Sequence, residues 1–117
     1  MKKFILVFAL FMTLLISAQA SAANGTREVR VEGYGQKKFE IYTGINFNWM
    51  RLSNFRVANI GSGTCWKSSY GWKCARQQDL FTLHCVRNDF KPTTIFCTAN
   101  NRTGWGRTFK FDWSVGK

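Results

Sequence analysis

Imidazole is almost missing from this chain: His84 is the only histidine among 117 residues, and acids are scarce, with six Asp and Glu against 17 Lys and Arg. A two-histidine acid/base mechanism within one chain is excluded. A Ser-His-Asp triad would have to be assembled around His84, which falls mid-strand with no nucleophile motif beside it. A small nuclease using His84, an arginine and one of Glu28, Glu32 or Glu40 stays open as a minority reading. Phosphate loops, zinc-protease signatures and dinucleotide fingerprints are absent, so no cofactor is expected. No run of five or more like charges occurs, and the cations are scattered singly from Arg27 to Lys117 apart from Lys37-Lys38. The charge therefore belongs to a folded surface rather than to a disordered tail.

The one long apolar run stands at the start. Lys2 and Lys3 precede Phe4 to Ile16, apolar except for Thr13, and Ala20-Ser21-Ala22 fits a small-x-small cleavage rule. That run is short of the ~20 residues a membrane-spanning helix needs and has the layout of an export signal. Residues 1–22 are read as a cleaved, bacterial-type signal peptide and 23–117 as one domain, placed in the periplasm or outside the cell. Cleavage leaves 15 basic residues against the same six acids. Such a chain attracts anionic polymers, acidic glycans or an acidic protein partner. The mature length allows only one hydrophobic core.

All four cysteines, Cys65, Cys74, Cys85 and Cys97, lie in the exported part, where disulfides are the default. Their separations do not form the close pairs zinc prefers, so no metal site is expected. Three pairings are possible. Cys65 with Cys74 and Cys85 with Cys97 is favoured because each pair brackets one turn-rich segment, and each bond is worth about 2 to 3 kcal/mol in a domain this small.

Along the mature chain the apolar residues alternate, which is the strand period. Val29 and Val31 share one face, as do Phe39 and Ile41, with Tyr34-Gly35 turning between the two strands. Ile45, Phe47 and Trp49 alternate after Thr43-Gly44, while 50–57 fits neither the strand nor the helix period. Leu80 to Val86 and Thr93 to Ala99 form a hairpin across 88–92, and Phe109, Phe111 and Trp113 alternate near the end. Residues 76–79 have room for at most a short helical turn. The expected fold is all-β, a small antiparallel sandwich or barrel stapled by disulfides.

The distinctive feature is aromatic rings placed among turns. Trp66, Tyr70 and Trp72 sit with Lys67 and Lys73 between two cysteines, and Trp105 stands between glycines with Arg102 and Arg107 nearby. Flat rings stack on sugars or bases while neighbouring cations supply charge and hydrogen bonds, so these eight residues are the candidate ligand site. For Trp66 and Trp72, covering a thin core is an equal alternative. Asn24-Gly25-Thr26 and Asn101-Arg102-Thr103 have the form of glycan acceptors, which would matter only in a eukaryotic secretory pathway. The expected function is a basic exported binding protein for a glycan or anionic polymer, alone or as the binding part of a larger assembly. An envelope inhibitor or immunity protein that blocks an acidic enzyme is the alternative. Membrane disruption ranks third, because no amphipathic helix is present to lie in a lipid interface.

Overall fold

The computed structural model describes residues 21–117, and the expected signal segment falls outside them except for its last two residues. Among the described residues nine strands form two antiparallel sheets: β1 (Ala22–Val31), β2 (Gln36–Tyr42), β3 (Trp49–Val57), β4 (Gly61–Ser62), β5 (Thr64–Ser68), β6 (Gly71–Arg76), β7 (Phe81–Arg87), β8 (Thr94–Asn101) and β9 (Arg107–Gly116). One sheet has the order β1-β9-β3-β4 and the other β2-β8-β7-β6-β5. Among the described residues no helix is long and apolar enough to cross a membrane.

Alternation decides which side of each strand is buried. Val29, Val31, Phe109, Phe111 and Val115 line the inner face of the four-stranded sheet, and Phe39, Ile41, Leu83, Cys85, Ile95, Cys97 and Ala99 line that of the five-stranded sheet. The two faces share one core. Phe39 meets Phe111 at 6.2 Å between ring centres, and Phe81 meets Phe109 edge-on at 6.0 Å. Arg27 faces the same side as Phe111 at the open margin, and its guanidinium lies 5.3 Å from the centre of the Phe39 ring. That stacking lets a cation close the edge of an apolar layer.

The indecisive period across 50–57 has a physical cause. The register of β3 on β9 shifts between Ser53 and Arg56, and Asn54 takes a positive φ of 55° there. This bulge inserts one residue, so Leu52 and Phe55, three apart, both point inward and are buried. A strand with a bulge matches no single period.

Residues 43–48 are not a strand, contrary to the alternation of Ile45, Phe47 and Trp49. This segment carries the chain from the edge of one sheet to the other, so its backbone finds partners along the way rather than in a ladder. Thr43 N–H donates to the Thr93 carbonyl at 2.8 Å, Asn48 N–H to Gly116 at 2.9 Å, and the Arg87 guanidinium holds the Phe47 carbonyl at 3.1 Å. Phe47 is still buried, which preserves the apolar signal without the strand. A second correction concerns 76–79. The turn is left-handed, with positive φ at Gln77, Gln78 and Asp79, and is not a helical turn.

Both disulfides have the favoured pairing, Cys65 with Cys74 and Cys85 with Cys97. The reason differs from the one the sequence supplied. Each pair is directly opposed in neighbouring strands, Cys65 on β5 against Cys74 on β6 and Cys85 on β7 against Cys97 on β8. The span between Cys65 and Cys74 is a tight hairpin turning at Ser69-Tyr70, not an open turn-rich loop.

Candidate functional site

The hairpin of β5 and β6 sorts its side chains by face. Trp66 opposes Lys73 on the outer side, while Lys67 opposes Trp72 on the side that continues into the core. Trp72 is half-buried against that core, and Trp66 is 42% exposed with the Lys73 ammonium 5.9 Å from its ring centre. Trp72 therefore packs against the core, while Trp66 stands on the surface. Tyr70, at the tip, is 86% exposed.

Beside this tip the start of β3 completes a cleft of about 530 Å³, lined by Trp49, Tyr70 and Trp72 together with Arg51, Lys67 and Arg87. Three rings and three cations share one concavity. Among the described residues Asp89 is the only acid in its wall, and its Oδ1 is taken by Arg87 at 2.8 Å. The sequence pattern does not single out Trp49, Arg51 and Arg87 as site residues. Trp49 looked like the last core position of an alternating strand, yet it opens β3 at the end of the sheet and is 45% exposed. The signal that was available is the Trp-Met-Arg triplet, an aromatic with a cation two residues on and therefore on the same face.

A second concavity of about 500 Å³ lies on the outer face of the five-stranded sheet, lined by Ser68, Tyr70, Lys73, Thr82, His84, Asn100 and Arg102, with Asp79 and Ser69 completing it. Strand register lays out its middle row. Trp66, Lys73, His84, Thr98 and Lys38 stand opposite one another across β5, β6, β7, β8 and β2. His84 Nε2 lies 3.5 Å from Ser68 Oγ, a long contact. The candidate bases of the nuclease reading are engaged elsewhere: Glu28 with Lys110, Glu32 with Arg30 and Glu40 with Lys91. Among the described residues, no group of three or more His, Cys, Asp and Glu side chains gathers as a metal site would require.

Trp105 and Arg107 do not join either concavity. The loop of residues 102–106 and the turn of residues 32–35 meet at the opposite end of the sheets from Tyr70, with Tyr34 N–H donating to the Thr103 carbonyl at 2.7 Å. Their backbones touch so closely that a Cβ on Gly33 would sit 2.5 Å from the Gly104 carbonyl oxygen. Trp105 and Tyr34 are both exposed at that end. The candidate set thus divides. Lys67, Tyr70 and Trp72 line the cleft, Lys73 and Arg102 line the sheet-face groove, and Trp66 flanks the groove through Lys73.

Asn101 anchors the far loop and explains the second Asn-x-Thr motif. Its side chain is 1% exposed, its amide donates to the carbonyls of Val31 at 3.2 Å and Trp105 at 2.7 Å, and its oxygen accepts from both Thr103 N–H and Thr103 hydroxyl. An amide so occupied is not a glycan acceptor in the folded chain. The motif is a loop staple.

Comparison of the chain with protein-family models, with curated proteins and with solved structures finds no match.

Proposed function

We propose that this chain is an exported, basic, disulfide-stapled sandwich that binds a glycan or other anionic polymer at the cell envelope or outside the cell, released from a leader over 1–22. It acts by binding and not by turnover. The observation that carries this reading is the cleft in which Trp49, Tyr70 and Trp72 share walls with Arg51, Lys67 and Arg87. Rings on a concave surface offer flat apolar contact to sugar faces, and cations at their margins hold acidic substituents. Four ion pairs among the described residues engage only a minority of the basic side chains, so most of the positive charge is free for a partner.

The test is a titration of the chain, recovered with both disulfides formed, against a sulfated glycan, a neutral glycan and single-stranded nucleic acid across a salt series. Binding of the first or second that is weakened by Tyr70→Ala and Arg51→Ala supports the reading. Absence of binding to all three sinks it and moves the search to an acidic protein partner.

A further inference from the structure

The cleft and the sheet-face groove are not separate features. Ser68, Ser69 and Tyr70 line both, so the tip of the β5–β6 hairpin is a ridge shared by the two concavities. Resting on the binding function proposed above, we infer that one acidic glycan chain occupies both, its sugar rings stacked in the cleft and a sulfate or carboxylate group farther along held in the groove by Lys73 and Arg102.

The groove has the chemistry for this. Lys73 comes from β6 and Arg102 from the loop after β8, and neither has an ion-pair partner among the described residues. Trp66 underlies Lys73 and restrains its ammonium, which lowers the entropy lost when an anion binds. Asn100, Ser68 and His84 supply amide, hydroxyl and imidazole groups that exchange hydrogen bonds with sugar hydroxyls. Lys38 extends the positive row across the face through the register of β2 on β8. The acid in the wall is Asp79, on the turn after β6 at the same end as Arg102, whose N–H donates to the Leu80 carbonyl, so it opposes the anion there.

The reach also fits a chain rather than a single sugar. β6 runs six residues from the ridge towards Asp79, which at ~3.3 Å per residue is about 20 Å of track beyond the cleft. A glycan is favoured over a nucleic acid because the rings gather at the cleft end, whereas a strand of bases would want stacking partners along the whole track. Two linked contacts reinforce each other only if the ligand is long enough to reach both.

The experiment compares a sulfated decasaccharide, the matching sulfated disaccharide, an uncharged decasaccharide of the same backbone and a single-stranded oligonucleotide, binding the full oxidised chain at low salt. The sulfated decasaccharide should bind at least about tenfold more tightly than the disaccharide. Lys73→Ala and Arg102→Ala should each weaken the decasaccharide about fivefold, as loss of one solvated charge contact does, and should weaken the disaccharide by a smaller factor. Asp79→Asn should tighten the decasaccharide. Melting temperature and intact disulfides confirm that each variant is folded. Equal affinity for the two sulfated lengths, with both weakened by Tyr70→Ala, overturns the groove while leaving the cleft reading intact. An uncharged decasaccharide that binds as well removes the role of Lys73 and Arg102. Tighter binding of the oligonucleotide overturns the ligand class, and no binding of any probe fells both readings together.

Discussion

The indole of Trp49 lies over the backbone of Gly116, its partner in the β3–β9 register, so that a Cβ built on Gly116 would stand 2.5 Å from the ring. The glycine that ends β9 therefore sets the position of one wall of the cleft. Trp113 covers Gly25 in the same way, with the ring 2.8 Å from where a Cβ would be. In both places an aromatic fills the space that a side chain opposite would have claimed.

Gly116→Ala should accordingly push Trp49 outward without breaking the ladder. Since the ring is partly exposed and free to swing, the loss of stability should be modest, about 1 kcal/mol. Ligand affinity at the cleft should fall and the tryptophan emission should shift. Unchanged affinity together with unchanged emission would separate Trp49 from the site.

Asp112 on β9 ties three strands together, accepting from the Thr26 hydroxyl of β1 at 2.7 Å and from the Asn54 amide of β3 at 3.1 Å. The Thr26 hydrogen bond first, then that of Asn54, holds its carboxyl below the usual range against a smaller opposing effect of desolvation, with Arg56 and Lys110 adding to the depression. A carboxyl depressed on folding stabilises the native state above its unfolded pKa, and that contribution is lost as pH falls through the folded one. Acid melting of Asp112→Asn should therefore show less loss of stability than the parent chain as pH falls from the ordinary carboxylate range to below it. A parallel pH profile for the two would contradict the linkage.

Asn101 tests the staple at the far end. Replacing it by Ala strands the Thr103 N–H and two carbonyls at a buried site, so the chain should lose on the order of 3 kcal/mol. The loop bearing Trp105 should become more susceptible to protease. Cleft binding should persist in whatever fraction remains folded, because the loop lies at the other end of the molecule.

The two disulfides should separate under graded reduction. Cys85 and Cys97 are fully buried, whereas Cys65 is partly accessible at the edge strand β5. Access governs attack by a thiol, so Cys65–Cys74 should open first and loosen the hairpin that carries Tyr70. Binding should then fall while the core stays folded. Mass mapping that finds Cys85–Cys97 opened first would count against this order.

Much of the fold was legible wherever one face of a strand is buried along its whole length. Val29 and Val31, Phe39 and Ile41, Phe81 to Cys85, and Phe109 to Trp113 all announce their inward side by alternation alone. Legibility failed where the ladder is interrupted or two-sided. The bulge at Asn54 shifts the period, the crossing segment with Phe47 buries a ring without pairing, and the β5–β6 hairpin mixes Gly, Ser and Lys with rings on both faces. The candidate site was legible as a composition, rings beside cations, but not as a place. Nothing in the sequence says that the Ser69-Tyr70 tip lies next to the start of β3, because that neighbourhood is made by the packing of β3 against the far edge of the other sheet.

Tyr70 and Trp105 are the sharpest comparison, since both are highly exposed, at 86% and 74%, and both follow from the same rule of rings on turns. Neither covers core, so alanine at either position should cost far less than the ~3 kcal/mol typical of a buried large aromatic. Their effects on binding should differ. Tyr70 lines both the cleft and the groove, so its removal should weaken a bound glycan by roughly 1 to 3 kcal/mol, taking the range for bases stacked on aromatic side chains as the guide. Trp105 lines neither and stands beside Tyr34 at the opposite end, so Trp105→Ala should leave that affinity within error. Calorimetric titration of both variants at one salt concentration decides the matter. If Trp105→Ala is the variant that loses binding, the ligand sits at the Tyr34 end and the cleft with its three cations is not the site.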